Sequence, residues 1–485
     1  MSKRLQVMKF GGTSVGNAEC IRRAAEIIAS AAASASVVVV VSAMSGVTNR
    51  LIETAHAAAR GDSEAPENTA RHLLEQHREA IDLLVKDENL RAPLQAEIEH
   101  IINEVKNLCH GTALLKELTP RAFDAISGAG ERLSARLVAA ALRERALPSV
   151  AVEATEVIIT NDDYGQAEPL MDETRERAAG RLQPLLDEGV TPIVTGFIGA
   201  TTEGIMTTLG RGGSDYSATI LGGALDADEI IIWTDASGVL TADPRLVSDA
   251  QPLAEISYNE AAELAFFGAK VLHPKTLWPV ADNGIPVWIK NSFAPGDAGT
   301  KISAGSASAN GSGVKAITAI SGVSLITVGG RGIVGTPGIA GKTFMAAAHA
   351  RSNVLLISQS SSQNDICFII NSSDAARTVE ALRETFAPDL AQNQIEHITV
   401  DAEIAIVAAV GEKMRGTPGI AGRTFSALGR ESINIIAIAQ GSSEYNVSFV
   451  VARSEMRRAV EVVHREFNLG RQQVDSEEVA LAQNR

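Results

Sequence analysis

The chain has 485 residues, 45% of them hydrophobic, enough apolar material for about three domains and too much for disorder as the main state. A formal net charge of −15, with no basic patch gathered locally, argues against a duplex-binding surface. Apolar runs such as 37–41 fall far short of the ~18 residues a membrane span needs, no signal-peptide apolar region follows Met1, and three scattered cysteines without a CxxC suit a reducing compartment, so a soluble cytoplasmic protein is expected.

Residues 5–10 predict a short buried strand, ended by Gly11-Gly-Thr-Ser-Val-Gly16, and Asn17 can cap an amphipathic helix over 18–33. Strand, glycine loop and helix together present backbone N–H groups to a phosphate. Lys9 at the strand's end can bring an ammonium to the same group, or it is a surface lysine before a tight turn. Residues 37–41 predict a second strand, continuous enough to be covered on both faces. It runs into Ser42-Ala-Met-Ser-Gly-Val-Thr-Asn49, whose hydroxyls can meet a substrate, with capping by Thr48 or Asn49 as the default expectation.

Residues 50–118 are mostly helical in pattern, punctuated at Gly61-Asp-Ser63 and Ala92-Pro93. His72, His77, His100 and His110 lie there without HExxH spacing or a thiol partner, which argues against a metal site. Ser127-Gly-Ala-Gly-Glu-Arg132 opens another helix. Glu131 in its first turn either answers the helix dipole or holds a cationic amine. Strands are predicted at 150–152 and 190–197, the latter carrying Thr195-Gly-Phe-Ile-Gly199 into a central loop.

That loop is Thr208-Leu-Gly-Arg-Gly-Gly-Ser-Asp-Tyr-Ser217, followed by a helix with the apolar spacing of a buried element. Ser214 or Asp215 can cap the helix, leaving its first amides to face an anion. Arg211, among Gly210, Gly212 and Gly213, offers a fork suited to carboxylate or phosphate; the alternative is an exposed turn. A further buried strand over 229–235 ends at Thr234 and Asp235. Strands alternating with helices predict an α/β fold with a largely parallel sheet, whose ligands bind at strand carboxyl ends. Lys9, Ser42, Gly196, Thr234 and Asp235 all stand at or just past such ends. Thr241-Ala-Asp-Pro-Arg245 and Phe266-Phe-Gly-Ala-Lys-Val-Leu-His-Pro274 follow, then a strand over 286–291 expected to close the sheet, and a Gly/Ser/Ala-rich stretch at 295–313 that reads as a linker.

Beyond it the chain repeats itself. Gly335-Thr-Pro-Gly-Ile-Ala-Gly-Lys-Thr-Phe344 returns as Gly416-Thr-Pro-Gly-Ile-Ala-Gly-Arg-Thr-Phe425, and the same shift maps Asn353 onto Asn434, Gln359 onto Gln440 and Phe368 onto Phe449. Each copy reads strand, turn, helix, strand, strand, helix. Gly330 to Gly335 fits GxGxxG, but no acidic residue follows at the required distance; Gly335 to Thr343 resembles a P-loop one residue too long, and Arg423 replaces its lysine in the second copy. Neither is read as a nucleotide site.

Taken together, Lys9-Phe-Gly-Gly-Thr-Ser14, Leu209-Gly-Arg-Gly-Gly-Ser-Asp-Tyr216, Trp233-Thr-Asp235, Thr241-Ala-Asp-Pro-Arg245 and Phe267-Gly-Ala-Lys-Val-Leu-His-Pro274 resemble aspartate kinase over nearly the whole chain, and the tail repeat is similar to that family's paired ACT domains. The resemblance implies a three-layer α/β/α amino-acid-kinase domain at 1–294, the linker at 295–313, and ferredoxin-like α+β ACT domains at 314–394 and 395–485. It implies transfer of the ATP γ-phosphoryl group, with Mg²⁺ riding on the phosphates and no protein metal site, to the side-chain carboxylate of L-aspartate. Lys9 and Asp215 would be catalytic. Arg211 would grip the aspartate α-carboxylate and Glu131 the α-amine, with Ser42, Thr48, Gly212, Gly213 and Ser214 lining the pocket. Lys9, Phe10, Gly11, Gly12, Thr234, Asp235, Leu240, Arg245, Lys270 and Val271 match the nucleotide contacts, although Leu240 stands where many members carry tyrosine.

The chain ends soon after the second copy, so a monofunctional kinase is expected rather than a fusion to homoserine dehydrogenase, assembled as a homodimer or homotetramer through its ACT domains. Gln359 and Gln440, followed by Ser-Ser-Ser and Gly-Ser-Ser, resemble segments of threonine-sensitive relatives and point to threonine rather than lysine as feedback effector. Competing readings are a kinase for glutamate or acetylglutamate, and a catalytically silent amino-acid sensor.

Overall fold

The computed structural model describes residues 3–268, 272–305, 313–333, 336–359, 364–414, 416–441 and 445–470. They fall into two compact units: residues 1–239, 252–262 and 271–306 in the first, and 240–251, 263–270 and 307–485 in the second.

The first unit runs β1 (Leu5–Phe10), α1 (Ala18–Ala32), β2 (Ser36–Val41), α2 (Val47–Ala59), α3 (Ala65–Leu84), α4 (Glu88–Leu115), α5 (Pro120–Ser127), α6 (Ala129–Glu144), β3 (Ser149–Val152), α7 (Met171–Asp187) and β4 (Thr191–Thr195). It continues through a hairpin of β5 (Ile198–Ala200) and β6 (Met206–Thr208), then α8 (Gly213–Ala224), β7 (Glu229–Thr234), β8 (Glu255–Ser257), the start of α9 (Tyr258–Phe266), α10 (Trp278–Ala281), β9 (Val287–Asn291) and β10 (Thr300–Ser303). The eight-stranded sheet has the order β3-β4-β2-β1-β7-β9-β10-β8. From β3 to β9 every pairing is parallel; β10 turns antiparallel to β9 and carries β8 parallel to itself. Met8, Phe10, Val37, Val39 and Val41 on one face join the core under α1 and α6, while α8 covers β1, β2 and β7 from the other. Burial on both faces is why residues 37–41 are valine without alternation.

β1 lies between β2 and β7, so the sequence order reverses there and the crevice at its carboxyl end is the natural ligand position of such a sheet. Residues 287–291 do not close the sheet. β10 and β8 extend it, and β10 falls inside the stretch expected to be linker, because a four-residue strand among Gly and Ser leaves almost no periodic signal. Asn17 caps α1 by accepting from Cys20 N at 2.9 Å, as its position predicts. The other expected caps are corrected: Gly212 precedes α8 and Gly46 precedes α2, both left-handed and without a side-chain cap, so Ser214, Asp215, Thr48 and Asn49 sit in first turns instead. Nor does Pro93 break α4, whose length packs against α2, α3 and α6.

The second unit comprises β11 (Ala316–Gly329), α11 (Ile339–His349), β12 (Leu356–Gln359), β13 (Asp365–Asn371), α12 (Ala375–Thr385), α13 (Ala387–Ala391), β14 (His397–Val410), α14 (Ile420–Arg430), β15 (Ala437–Ala439), β16 (Asn446–Ala452) and α15 (Met456–Glu466). Its antiparallel sheet has the order β12-β13-β11-β14-β16-β15. The two copies interlock. Residues 323–329 of β11 pair with β13, and Ile326 and Val328 join the first copy's core with Phe368 and Leu382. The earlier part of β11 pairs with the end of β14, and Ile317 joins the second copy's core with Val407, Phe449 and Val463. The second copy thus takes a strand from ahead of the first, a swap no linear division of the repeat reveals. Lys342 and Arg423, the P-loop-like positions, lie in α11 and α14 and pair with Asp389 and Glu466 at 3.5 and 3.1 Å. Among the described residues no helix is long and apolar enough to cross a membrane.

Candidate active site

Lys9 stands one residue before the end of β1, only 8% exposed, with its Nζ 2.5 Å from Asp215 Oδ1 in the first turn of α8. The glycines that follow are needed for close approach. Gly11 N donates to Trp233 O at 3.1 Å, and a Cβ there would lie 3.4 Å from Lys9 Nζ; one at Gly12 would lie 3.2 Å from Ala43 O. Ser45 Oγ donates to Gly12 O at 3.0 Å, and the Ser14 and Ser292 hydroxyls meet at 2.8 Å beside the Trp233 and Thr234 carbonyls, which ties the turn to the end of β7. Sequence reasoning offered the Ser45 hydroxyl to a substrate along with its neighbours, whereas here it donates to Gly12 O, and it missed Ser292, since a lone serine in a loop carries no periodic or spacing signal.

Ser42 and Thr48 are both half-buried. Ser42 N donates to Phe10 O at 3.0 Å, and its carbonyl accepts from Ser134 Oγ at 2.6 Å. Against this loop sits the start of α6, so tightly that a Cβ on Gly130 would fall 2.6 Å from Ala43 Cβ. Glu131 is consequently 4% exposed, and its Oε2 has no hydrogen-bond partner. Burial pushes its carboxyl up to about 8, against the Ala43 N–H bond and the charge of Lys9, which pull it down. A buried acid of this kind is driven toward its anion when a cation reaches it.

Arg211 is exposed. Gly212 holds φ 72, and a Cβ there would strike His273 Cβ at 2.8 Å; one on Gly213 would meet Phe197 Cδ2 at 2.7 Å. Ser214 is packed so closely on Gly196 that a Cβ there would sit 2.7 Å away. His273 is held below its usual range by burial and by the charges of Lys275 and Arg211. It joins a group that includes the Lys275–Glu168 ion pair and Tyr216, whose hydroxyl donates to Glu168 Oε2 at 3.3 Å. The sequence reading quoted Tyr216 only as the end of a motif and named neither Lys275 nor Glu168; the His273-Pro274 pair inside a recognised motif was the available signal.

Thr234 is half-buried and Asp235 exposed, with Thr234 Oγ1 donating to Asp235 Oδ1 at 3.1 Å. Phe10 is fully buried and stacked on Trp233 at 6.0 Å, so only its backbone is open to a ligand. Leu240 and Arg245 belong to the second unit, where Arg245 forks onto Asp243 at 2.5 Å and its carbonyl accepts from Arg457. Lys270 and Val271 lie outside the described residues. In the second unit, Gln359 ends β12 and Gln440 follows β15; both are exposed, and the two strands lie in contact. The serines after them fall outside the described residues. No group of three or more His, Cys, Asp or Glu among the described residues is placed to hold a metal ion.

Residues 4–291 match the model of the amino acid kinase family, and residues 326–386 and 407–467 match that of the ACT domain. The chain is 33% identical to the lysine-sensitive aspartokinase 3 of Escherichia coli, over 94% of this chain and 98% of that one. It is 37% identical to a chloroplastic bifunctional aspartokinase/homoserine dehydrogenase of Arabidopsis thaliana, over 96% of this chain but 51% of the relative, so it spans about half the length of the bifunctional relatives it matches. Among solved structures it resembles E. coli aspartokinase III in complex with aspartate and ADP, with a TM-score of 0.80, 32% identity, and coverage of 96% of this chain and 99% of that one. The same enzyme with lysine and aspartate gives a TM-score of 0.77. A parallel sheet with its charged groups gathered at one crevice, an interlocked pair of ACT copies and these matches along nearly the whole length agree: the chain belongs to the amino acid kinase family and, within it, to the aspartokinases.

Proposed function

We propose that the protein transfers the γ-phosphoryl group of ATP to the side-chain carboxylate of L-aspartate, giving 4-phospho-L-aspartate, the opening step of a route to the aspartate-derived amino acids. The observation that carries this reading is Glu131, a buried carboxyl group whose Oε2 has no hydrogen-bond partner, near Lys9 of the Lys9–Asp215 pair at the carboxyl end of β1. A carboxylate nucleophile needs no base. The barrier lies in bringing two anions together, so positioning and charge neutralisation do the catalysis. Glu131 takes the substrate ammonium, and Arg211 the α-carboxylate through its planar fork. Lys9 and the amides of Gly11 and Gly12 stabilise the transferred group, with Asp215 holding the Lys9 ammonium in place. Ser42, Thr48, Gly212, Gly213 and Ser214 shape the pocket. Thr234, Asp235, Leu240, Arg245, Lys270 and Val271 serve the nucleotide, and Mg²⁺ arrives on the ATP phosphates, whose charge it neutralises.

The reading extends to a kinase domain at 1–294, two ACT copies beyond the 295–313 stretch, a homo-oligomer joined through them and a cytoplasmic location. Exposed Ile357 and Ile438 on the edge strands β12 and β15 support the assembly. Threonine is the proposed effector, resting on the amide groups of Gln359 and Gln440, which meet a hydroxyl or an amino-acid head group. The lysine sensitivity in the E. coli relative's name makes lysine the second reading.

A coupled assay of ADP release with aspartate, glutamate and acetylglutamate tests the activity. Turnover with aspartate alone supports it, and preference for either of the others overturns it. Titration with threonine and with lysine decides the effector.

A further inference from the structure

Asp124, midway along α5, is fully buried. Its carboxylate accepts from Gly165 N and Thr208 N at 2.9 Å each, both on Oδ2, and from Thr208 Oγ1 at 2.8 Å on Oδ1. The segments it holds adjoin the loop that carries Arg211. Thr208 closes β6, Leu209 N bonds Phe197 O at 2.9 Å, and Gly210, at φ 76, passes so close to residue 165 that a Cβ would meet Gly165 O at 3.0 Å. On the other side, α5 runs through Gly128 into α6, whose first turn carries Glu131. That junction is pressed on the β5–β6 hairpin: a Cβ on Gly128 would fall 2.4 Å from Ile198 Cγ2. One buried carboxylate therefore joins the helix pair bearing Glu131 to the loop bearing Arg211.

We propose that Asp124 is a positioning residue that sets the spacing between Glu131 and Arg211, and so the fit of the site to the amine and carboxylate of an α-amino acid. The proposal rests on the roles given above to those two residues. Three donors converge on Asp124, and a carboxylate answers all of them because it only accepts. Truncation to alanine removes the acceptor altogether: the Gly165 and Thr208 N–H groups are left unpaired, and the loop shifts to relieve them. A displacement of about 1 Å in a substrate-positioning group costs on the order of 10²-fold in rate.

The test varies aspartate and ATP separately in purified Asp124→Ala, Thr208→Val and Arg211→Lys, with thermal melts to establish folding. In Asp124→Ala the aspartate KM is expected to rise ~10-fold or more, with the ATP KM near wild type. Thr208→Val, which removes only the hydroxyl contact, shows a smaller rise of the same kind. A merely destabilised enzyme loses active fraction, which lowers kcat and leaves both KM values alone. The proposal is overturned if either folded variant keeps the wild-type aspartate KM, or if the aspartate and ATP constants rise together. Arg211→Lys separates the two levels. Should it also leave the aspartate KM unchanged, the assignment of Arg211 is at fault; should it raise that constant while Asp124→Ala does not, only the positioning role falls.

Discussion

The two units treat charge in opposite ways. In the first, a sheet covered on both faces brings Lys9, Asp215 and Glu131 out of water, where Lys9 and Glu131 are each less than a tenth exposed. In the second, cations at equivalent points of the repeat form ion pairs at the surface, such as Lys342–Asp389 and Arg423–Glu466, and Ile357, Val400 and Ile438 stay exposed. Desolvated charge is worth far more per contact than solvated charge, and it is also costly to leave unpaired. Phosphoryl transfer requires the first arrangement, whereas the second suits the effector and assembly roles proposed for the ACT copies.

The largest effect that would sharpen this contrast is in turnover. Lys9→Ala is expected to lose ~10²–10³ in kcat, the usual cost of one preorganised electrostatic contact, while the fold persists. Near-native turnover in the purified variant would place the phosphate site elsewhere.

Next comes Glu131. Its folded pKa of about 8 means that the unliganded site holds a proton at neutral pH, and an arriving substrate ammonium should expel it. Calorimetry of aspartate binding at pH 7 in buffers of different ionisation enthalpy should register proton release; equal heats in all buffers would contradict the assignment. Because this pKa is raised from 4.5, the fold's proton is one the unfolded chain gives up, so the apo protein loses stability as pH climbs from about 4.5 to about 8. Glu131→Gln should flatten that slope and weaken aspartate binding together.

His77 gives a smaller, purely structural counterpart. It is fully buried, Nδ1 donates to Leu73 O at 2.7 Å, Nε2 has no partner, and burial lowers its pKa from 6.5 to about 4. The unfolded chain binds the proton first as pH falls, so stability should drop by ~3 kcal/mol between about pH 6.5 and 4. Acid titration of unfolding in His77→Leu should show a shallower decline; a curve parallel to wild type would remove His77 from the account.

Smallest of all are the stability effects expected at the exposed glutamines. Gln359→Ala and Gln440→Ala should leave melting within ~0.5 kcal/mol of wild type, as exposed substitutions do, while blunting inhibition by threonine. Full threonine sensitivity in both variants would sever these residues from regulation.

Local pattern was sufficient for the helices, the buried strands 37–41 and 229–234, the glycine turn after Lys9 and the repeat, because each is set by spacing over a few residues. Tertiary structure decided the rest. Asp124 looks like one more acid in a helix until Gly165 and Thr208, far along the chain, turn their donors toward it. The caps moved to Gly46 and Gly212 because left-handed backbone and close packing outweighed side-chain capping preferences. Residues 300–303 became a strand only because β9 and β8 lay ready on either side. The exchange of β11 between the ACT copies followed from which hydrophobic face each half of the strand could bury. Periodicity records a residue's own environment along the chain; partners brought together by folding leave no periodic trace, and here they determine the sheet's edge, the lone Glu131 oxygen and the donors gathered on Asp124.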